Sequence, residues 1–263
     1  MLDVSGAIPP FDAVHGVINV GNTTYHELLF ETKPCSASTG DAAQRYEHAS
    51  VKRVQMYKLE EGSDTINTLK SDGLRAMRSA GGSITHLLGS CQNHESELQF
   101  SQGMTHVMLV DSPNIGVLRK AMEAEKGATN TMTSPSLVFD FHPHIVKVPE
   151  GQSSVGALKH VVLIKFNVDA PVGKLVAGYI ELTTKIDEMK GFEWGPFANN
   201  FNVDGAGDEA EVQLTNGFEY VFITTFESVA DRNTYLFHQA HKDYVDFLVP
   251  NIENFAVVDF VAV

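Results

Sequence analysis

The sequence predicts an α+β protein in which one β-α-β-β-α-β module occurs twice along the chain. Three observations predict it. Strand-length runs in the second half are apolar on both faces, stretches of helical periodicity separate them, and the first half repeats their order in weaker form. A strand buried on both faces belongs to a sheet that packs on helices with one side and on a second sheet with the other.

The second half sets the pattern. Residues 158–166 (LKHVVLIKF) read as a strand with His160, Val162 and Ile164 on one face and Val161 and Leu163 on the other. Asp169-Ala170-Pro171 is a helix start, and Leu175, Tyr179, Leu182, Ile186 and Met189 then fall at helical spacing over residues 175–189. Residues 191–195 (GFEWG) begin a second strand, and a Gly/Asn/Asp-rich loop follows through Gly207. Residues 217–226 (GFEYVFITTF) form a third strand, rich in aromatic and β-branched side chains. Ser228 caps a helix spanning residues 231–247, Pro250 stops it, and residues 255–261 close the module. That order is a ferredoxin-like half.

The first half aligns with it in the same order. Residues 51–58 (VKRVQMYK) match 158–165, the helix over 66–77 ends at Gly81-Gly82, residues 103–107 match 217–221, and Phe139-Asp140-Phe141 matches Val258-Asp259-Phe260. The expected organisation is an extension over residues 1–49, a divergent repeat over 50–147 and a second repeat over 157–263. A Pro/Gly/Ser linker at 149–154 separates the copies. In the extension, residues 17–20 and 23–30 flank Gly21-Asn22, a two-residue hairpin signal that predicts an added edge hairpin.

Composition bounds the rest. Apolar residues make up 43% and charged residues 20%, the range of an ordinary globular core. The formal net charge of −14 repels phosphate backbones and anionic membranes, so neither nucleic acid nor membrane is an expected partner. The two cysteines, Cys35 and Cys91, do not make a disulfide framework. They suit a reducing, intracellular compartment, expected to be the cytoplasm, with plastid or another organelle left open. No apolar run is longer than a strand, and residues 1–10 have no secretory pattern.

With the repeat in place, the second copy resembles the stress-responsive A/B barrel (dimeric α+β barrel) family. The residues that carry this are Lys159-His160-Val161-Val162-Leu163-Ile164-Lys165-Phe166, Phe192-Glu193-Trp194-Gly195, Phe226-Glu227-Ser228, Tyr235, His238-Gln239-Ala240-His241 and Val258-Asp259-Phe260. Gln239 stands where the family's usual motif has proline. The resemblance covers residues 157–261 strongly and 50–142 in outline. It implies that the helix-free faces of two sheets pair; single-domain members do this as homodimers. Here the two copies form the pair within one chain, with further homo-oligomerisation left open.

One plant member of the family, olivetolic acid cyclase, performs an intramolecular aldol condensation on a linear polyketide without metal or organic cofactor. By that resemblance the candidate catalytic residues are His241, Tyr235 and His160, and no cofactor is implied. Imidazole already titrates near neutral pH, as a general base requires, and a tyrosine hydroxyl polarises a carbonyl. The candidate ligand-binding residues are Val162, Ile164, Tyr220, Phe222 and His238, around a small hydrophobic molecule. Tyr220 replaces a pocket histidine of the cyclase, a departure from its pattern. In the first copy, Arg53 stands at the His160 position and no His-x-x-His occurs over residues 114–126. Any site therefore belongs to the second copy.

Other motifs read more plainly. His238-x-x-His241 and His142-x-His144 each offer two metal-ligand positions without a third at fixed spacing, so no metal site is assigned. Residues 205–207 (GAG) lack the strand-loop-helix and lysine of a phosphate loop, and neither GxSxG nor HExxH occurs. Three functions follow from the reading: a non-catalytic stress-responsive barrel, a cofactor-free polyketide-cyclase-like enzyme, and a carrier of a small hydrophobic molecule. A structural role for the His238–His241 stretch, as packing and cap, stands beside the catalytic one.

Overall fold

The computed structural model describes residues 13–20, 23–30, 49–60, 65–79, 81, 84–128, 135–150, 155–198 and 214–263. Cys35 and the Gly-rich segment through Gly207 lie outside the described residues, as does part of the 149–154 linker. In the extension, β1 (Ala13–Val20) pairs antiparallel with β2 (Thr23–Phe30) as the Gly21-Asn22 signal predicts. The pair forms a two-stranded sheet of its own and extends neither larger sheet.

The first module runs β3 (Val51–Tyr57), α1 (Thr65–Ser79), β4 (Thr85–Ser90), β5 (His106–Ser112), α2 (Ile115–Ala128) and β6 (Leu137–Phe141). Its antiparallel sheet has the order β4-β5-β3-β6. A 3-10 helix over Glu95–Ser101 joins β4 to β5. The sequence reading had not marked β4 or this turn. The segment between α1 and β5 is mostly polar and lacks the doubly apolar run that reveals a buried strand.

The second module runs β7 (His144–Lys147), β8 (Leu158–Phe166), α3 (Val172–Lys185), β9 (Gly191–Pro196), β10 (Tyr220–Phe226), α4 (Val229–Phe237), α5 (Gln239–Leu248) and β11 (Ile252–Val261). Its sheet order is β11-β8-β10-β9-β7. Strand β7 comes from the stretch expected to end the first repeat. It crosses over and pairs with β9 as an edge strand.

Two local details differ from the periodicity. Helix α3 stops at Lys185 because Ile186 is extended (φ −124°, ψ 104°), although Ile186 and Met189 remain buried beyond it. The helix expected over 231–247 is broken at His238 (φ −65°, ψ 139°), which ends α4 and caps α5. Ser228 caps α4 as expected, its hydroxyl accepting from the Asp231 amide at 3.1 Å.

Strand alternation sorts the core into layers. Val54, Met56, Leu109 and Phe139 from the first sheet meet Val161, Leu163, Val221, Ile223 and Val258 from the second in one cluster. On the outer faces, Leu88, Met108, Val110, Ile115 and Leu118 pack in the first module, and Val162, Ile164, Phe222, Leu175, Tyr179 and Tyr235 in the second. The chain thus closes a dimeric α+β barrel on itself, two ferredoxin-like sheets face to face.

The barrel is sealed at two matching seams. Cys91 bridges Phe260, with the Gln92 amide donating to the Asp259 carbonyl at 2.7 Å; Phe141 bridges Phe197, with the Ala198 amide donating to the Asp140 carbonyl at 2.8 Å. A glycine sits at each. A Cβ on Gly89 would lie 2.4 Å from the Val261 carbonyl oxygen, and one on Gly195 would lie 2.7 Å from that of His142. Backbone meets backbone there, so neither position has room for a side chain.

Candidate functional site

The helix-facing side of the second sheet gathers the residues singled out from the sequence. His160 on β8 is 2% exposed, and its Nδ1 donates to Asp259 Oδ1 on the neighbouring strand at 2.6 Å. Asp259 is itself fully buried and pairs through Oδ2 with Nη1 of Arg232 on α4. Its amide donates to Asn93 Oδ1 at 2.9 Å, and the Arg232 guanidinium reaches the Gln92 carbonyl. A buried carboxylate survives only when charge and hydrogen bonds compensate it. Here the compensation comes from both modules.

Above His160 lie the other two candidates. Tyr235, 1% exposed, sits with its ring centroid 5.7 Å from that of His160 and 4.2 Å from that of His241. Its hydroxyl donates to the Tyr179 hydroxyl at 3.2 Å. His241 Nδ1 contacts the Leu236 carbonyl at 3.2 Å, which assigns it the proton. Tyr235 and His241 stand on different helices, α4 and α5, and the bend at His238 brings their rings together. A single helix with three-residue spacing does not describe them.

The remaining candidates separate. Val162, Ile164 and Phe222 belong to the same apolar layer as Tyr235. Tyr220 packs at the far end against Phe166, ring centroids 5.2 Å apart. His238 turns its Nδ1 to accept from the Ala240 amide at 3.2 Å, so its ring serves as a helix cap. His142 Nδ1 bonds the Ser50 carbonyl, and His144 stacks on Trp194 at 4.7 Å.

Electrostatics disfavour strong base chemistry. Burial pushes the His241 imidazole down to about 4, with nearby His160 adding to the effect and the Leu236 carbonyl opposing it. Burial also lowers His160, opposed by Glu97 and reinforced by Arg232. Burial raises Tyr235 well above its ordinary value. At neutral pH both imidazoles are uncharged and the phenol is protonated. A base near 4 is weak at neutral pH, so the aldol-cyclase reading of His241 is not favoured.

Asp259, Arg232, Asn93 and Tyr179 escaped the sequence reading as site residues. Asp259 left a signal: one acid in the otherwise apolar run AVVDFVAV, in a strand expected to pair with the one bearing His160. Glu97, His160 and Asp259 bring one ligand atom each within 4.8 Å of one another. Arg232 already supplies the positive charge at that point, so the cluster is an internal charge network.

The comparisons bear on the fold that carries this geometry. Residues 158–262 match the family model described as Stress responsive A/B Barrel Domain. That segment resembles a stress-responsive A/B barrel domain. Over 112 residues the chain is 27% identical to stress-response A/B barrel domain-containing protein HS1 of Arabidopsis thaliana, spanning 41% of this chain and 93% of that relative. A second Arabidopsis thaliana protein of the same description, At5g22580, is 27% identical over 107 residues, spanning 41% of this chain and 87% of its own. A putative monooxygenase from Fusobacterium nucleatum superposes with a TM-score of 0.53 over 81% of this chain and 92% of its own. At 10% identity that likeness shows the fold alone. No helix among the described residues is long and apolar enough to cross a membrane.

Proposed function

We propose that the A/B barrel domain at residues 158–262 binds a small, largely apolar molecule bearing one hydroxyl or carbonyl, on the helix-facing side of its sheet. The observation that carries this reading is the row His160–Tyr235–His241: three uncharged polar rings set in an aromatic layer, with His160 oriented by Asp259. Neutral imidazoles and phenols recognise a polar group without the desolvation cost of a charge. Aromatic side chains already fill the layer. Tyr179 stacks on Phe222 at 5.0 Å and Tyr244 lies 5.2 Å from Tyr179, so a ligand enters by displacing rings near His241.

Trp194 makes the test direct. It is the sole tryptophan of the chain and lies in this layer, 6.3 Å from the Phe222 ring. Titration with pentylresorcinol, an uncharged aromatic ketide analogue, should change Trp194 fluorescence saturably. His241→Ala and Tyr235→Phe should each weaken binding by roughly tenfold, about 1.4 kcal/mol. A flat or unsaturable titration up to the solubility limit would reject the reading and leave a barrel whose role is its own stability and association.

A further inference from the structure

The other face of β8 carries a second feature. Lys159 adjoins His160, so alternation sends it to the opposite side of the sheet, toward the first module. It is 8% exposed. Its Nζ donates to Thr225 Oγ1 at 2.7 Å. An ammonium carries three N–H donors, and no carboxylate among the described residues pairs with this one.

The first module shows what is missing. Lys52 lies opposite Asp111 in the β3–β5 register, and Lys159 lies opposite Thr225 in the β8–β10 register. Lys52 Nζ pairs with Asp111 at 2.9 Å and with Glu193 at 2.7 Å. The strand neighbour that gives Lys52 a carboxylate gives Lys159 only a hydroxyl. Glu193, the nearest alternative, is committed to Lys52. Burial pulls the Lys159 pKa down and the neighbouring Lys52 charge adds to this, while Glu193 and Asp111 oppose it without bonding to the amine.

A cavity of about 220 Å³ opens beside this amine, its walls formed by Lys159 and Thr225, the Lys52–Glu193 pair, Lys147, and the apolar Ile145, Val148 and Pro149. Ile145 and Val148 are 61% and 68% exposed, unusual for aliphatic side chains next to a cavity. We propose that this cavity binds a small monocarboxylate with an apolar tail, the carboxylate on Lys159 and the tail along Ile145, Val148 and Pro149. The ligand's carboxylate takes the place that Asp111 fills in the first module. A charge-assisted hydrogen bond to Lys159, itself 8% exposed, anchors the carboxylate, and Ile145, Val148 and Pro149 favour an anion with an apolar tail over small inorganic anions. The site lies across the sheet from Tyr235 and His241 and is independent of the reading given for them.

Hexanoate is the probe, titrated into the full chain by isothermal calorimetry, with hexanamide as its uncharged counterpart. Saturable hexanoate binding is expected, at least tenfold tighter than hexanamide. Lys159→Met, which keeps the packing and removes the charge, should weaken hexanoate at least tenfold. Thr225→Asp should do the same by recreating the Lys52–Asp111 pairing inside the second module. Because that variant adds a counter-charge, it tests the site even if Lys159→Met fails to fold. Three results would each overturn the proposal: no hexanoate binding to the folded chain at millimolar concentration, equal affinity for hexanamide, or unchanged affinity in folded Lys159→Met or Thr225→Asp.

Discussion

His160 donates to Asp259 across 2.6 Å between β8 and β11, and Arg53 donates to Asp140 across 2.8 and 2.9 Å at the matching place between β3 and β6. Both pairs sit directly opposite in register and are almost wholly buried. Each module therefore joins two neighbouring strands, β3 to β6 and β8 to β11, through one polar link set among apolar neighbours. The links differ in kind: the first is a complete ion pair within its own sheet, and the second borrows its cation, Arg232, from a helix.

That difference predicts the ranking of substitutions in the second module. Asp259→Asn removes the charge that compensates Arg232 and should cost about 3–5 kcal/mol, the range for breaking a buried pair. His160→Gln removes one hydrogen bond and should cost about 1–2 kcal/mol. Urea unfolding of both variants measures the order; an equal loss would mean that Arg232 does not depend on Asp259.

In the first module the cation comes from the neighbouring strand of the same sheet. Asp140→Leu alone removes the two charged hydrogen bonds that Arg53 makes to it and should cost about 3–5 kcal/mol, whereas Arg53→Met with Asp140→Leu should recover much of it. The check is a double-mutant cycle on unfolding free energies. A double variant as unstable as the single one would show that the pair is needed for more than charge balance.

Stability should fall in mild acid. The unfolded chain binds a proton at His241 near 6.5, and the folded chain refuses it until about 4. The contribution of this group is therefore complete above pH 6.5 and is lost as pH drops toward 4, on the order of 3 kcal/mol. His160, also lowered by burial, acts in the same direction. Unfolding midpoints taken from pH 7 to pH 4.5 should decline, and His241→Asn should flatten the slope.

The seams allow no added side chain. Gly89→Ala and Gly195→Ala should each cost about 1–3 kcal/mol, because the new methyl meets a carbonyl oxygen across the barrel. Gly173→Ala, with nothing within 4 Å of its Cβ, should be neutral or slightly stabilising by about 0.5 kcal/mol. Thermal unfolding of the three variants separates the seam effect from a general intolerance of alanine.

The fold was legible wherever burial imposes a period. Strand β8, apolar on both faces, was read to its last residue, and α3 was placed by Leu175, Tyr179 and Leu182. Short elements with one exposed face were not: β4 and β7 carry too few apolar residues for alternation to show, and β7 changes sheets, which no local pattern records. The site was half legible. His160, Tyr235 and His241 do come together, but the bend at His238 follows from a side-chain cap rather than from a helix breaker such as glycine or proline. Arg232 and Asn93 depend on contacts between modules, and sequence spacing within one module cannot reveal those.

Fusing the two sheets into one chain changes what the barrel can hold. In a two-fold symmetric pair of identical subunits, every residue appears twice in the same surroundings, so a lysine paired with a carboxylate in one copy implies the same pairing in the other. Here Lys52 faces Asp111 while Lys159 faces Thr225, and Glu193 leans toward only one of them. A single covalent chain lets two matching lysines beside one cavity carry different partners, which a symmetric assembly of one sequence cannot do.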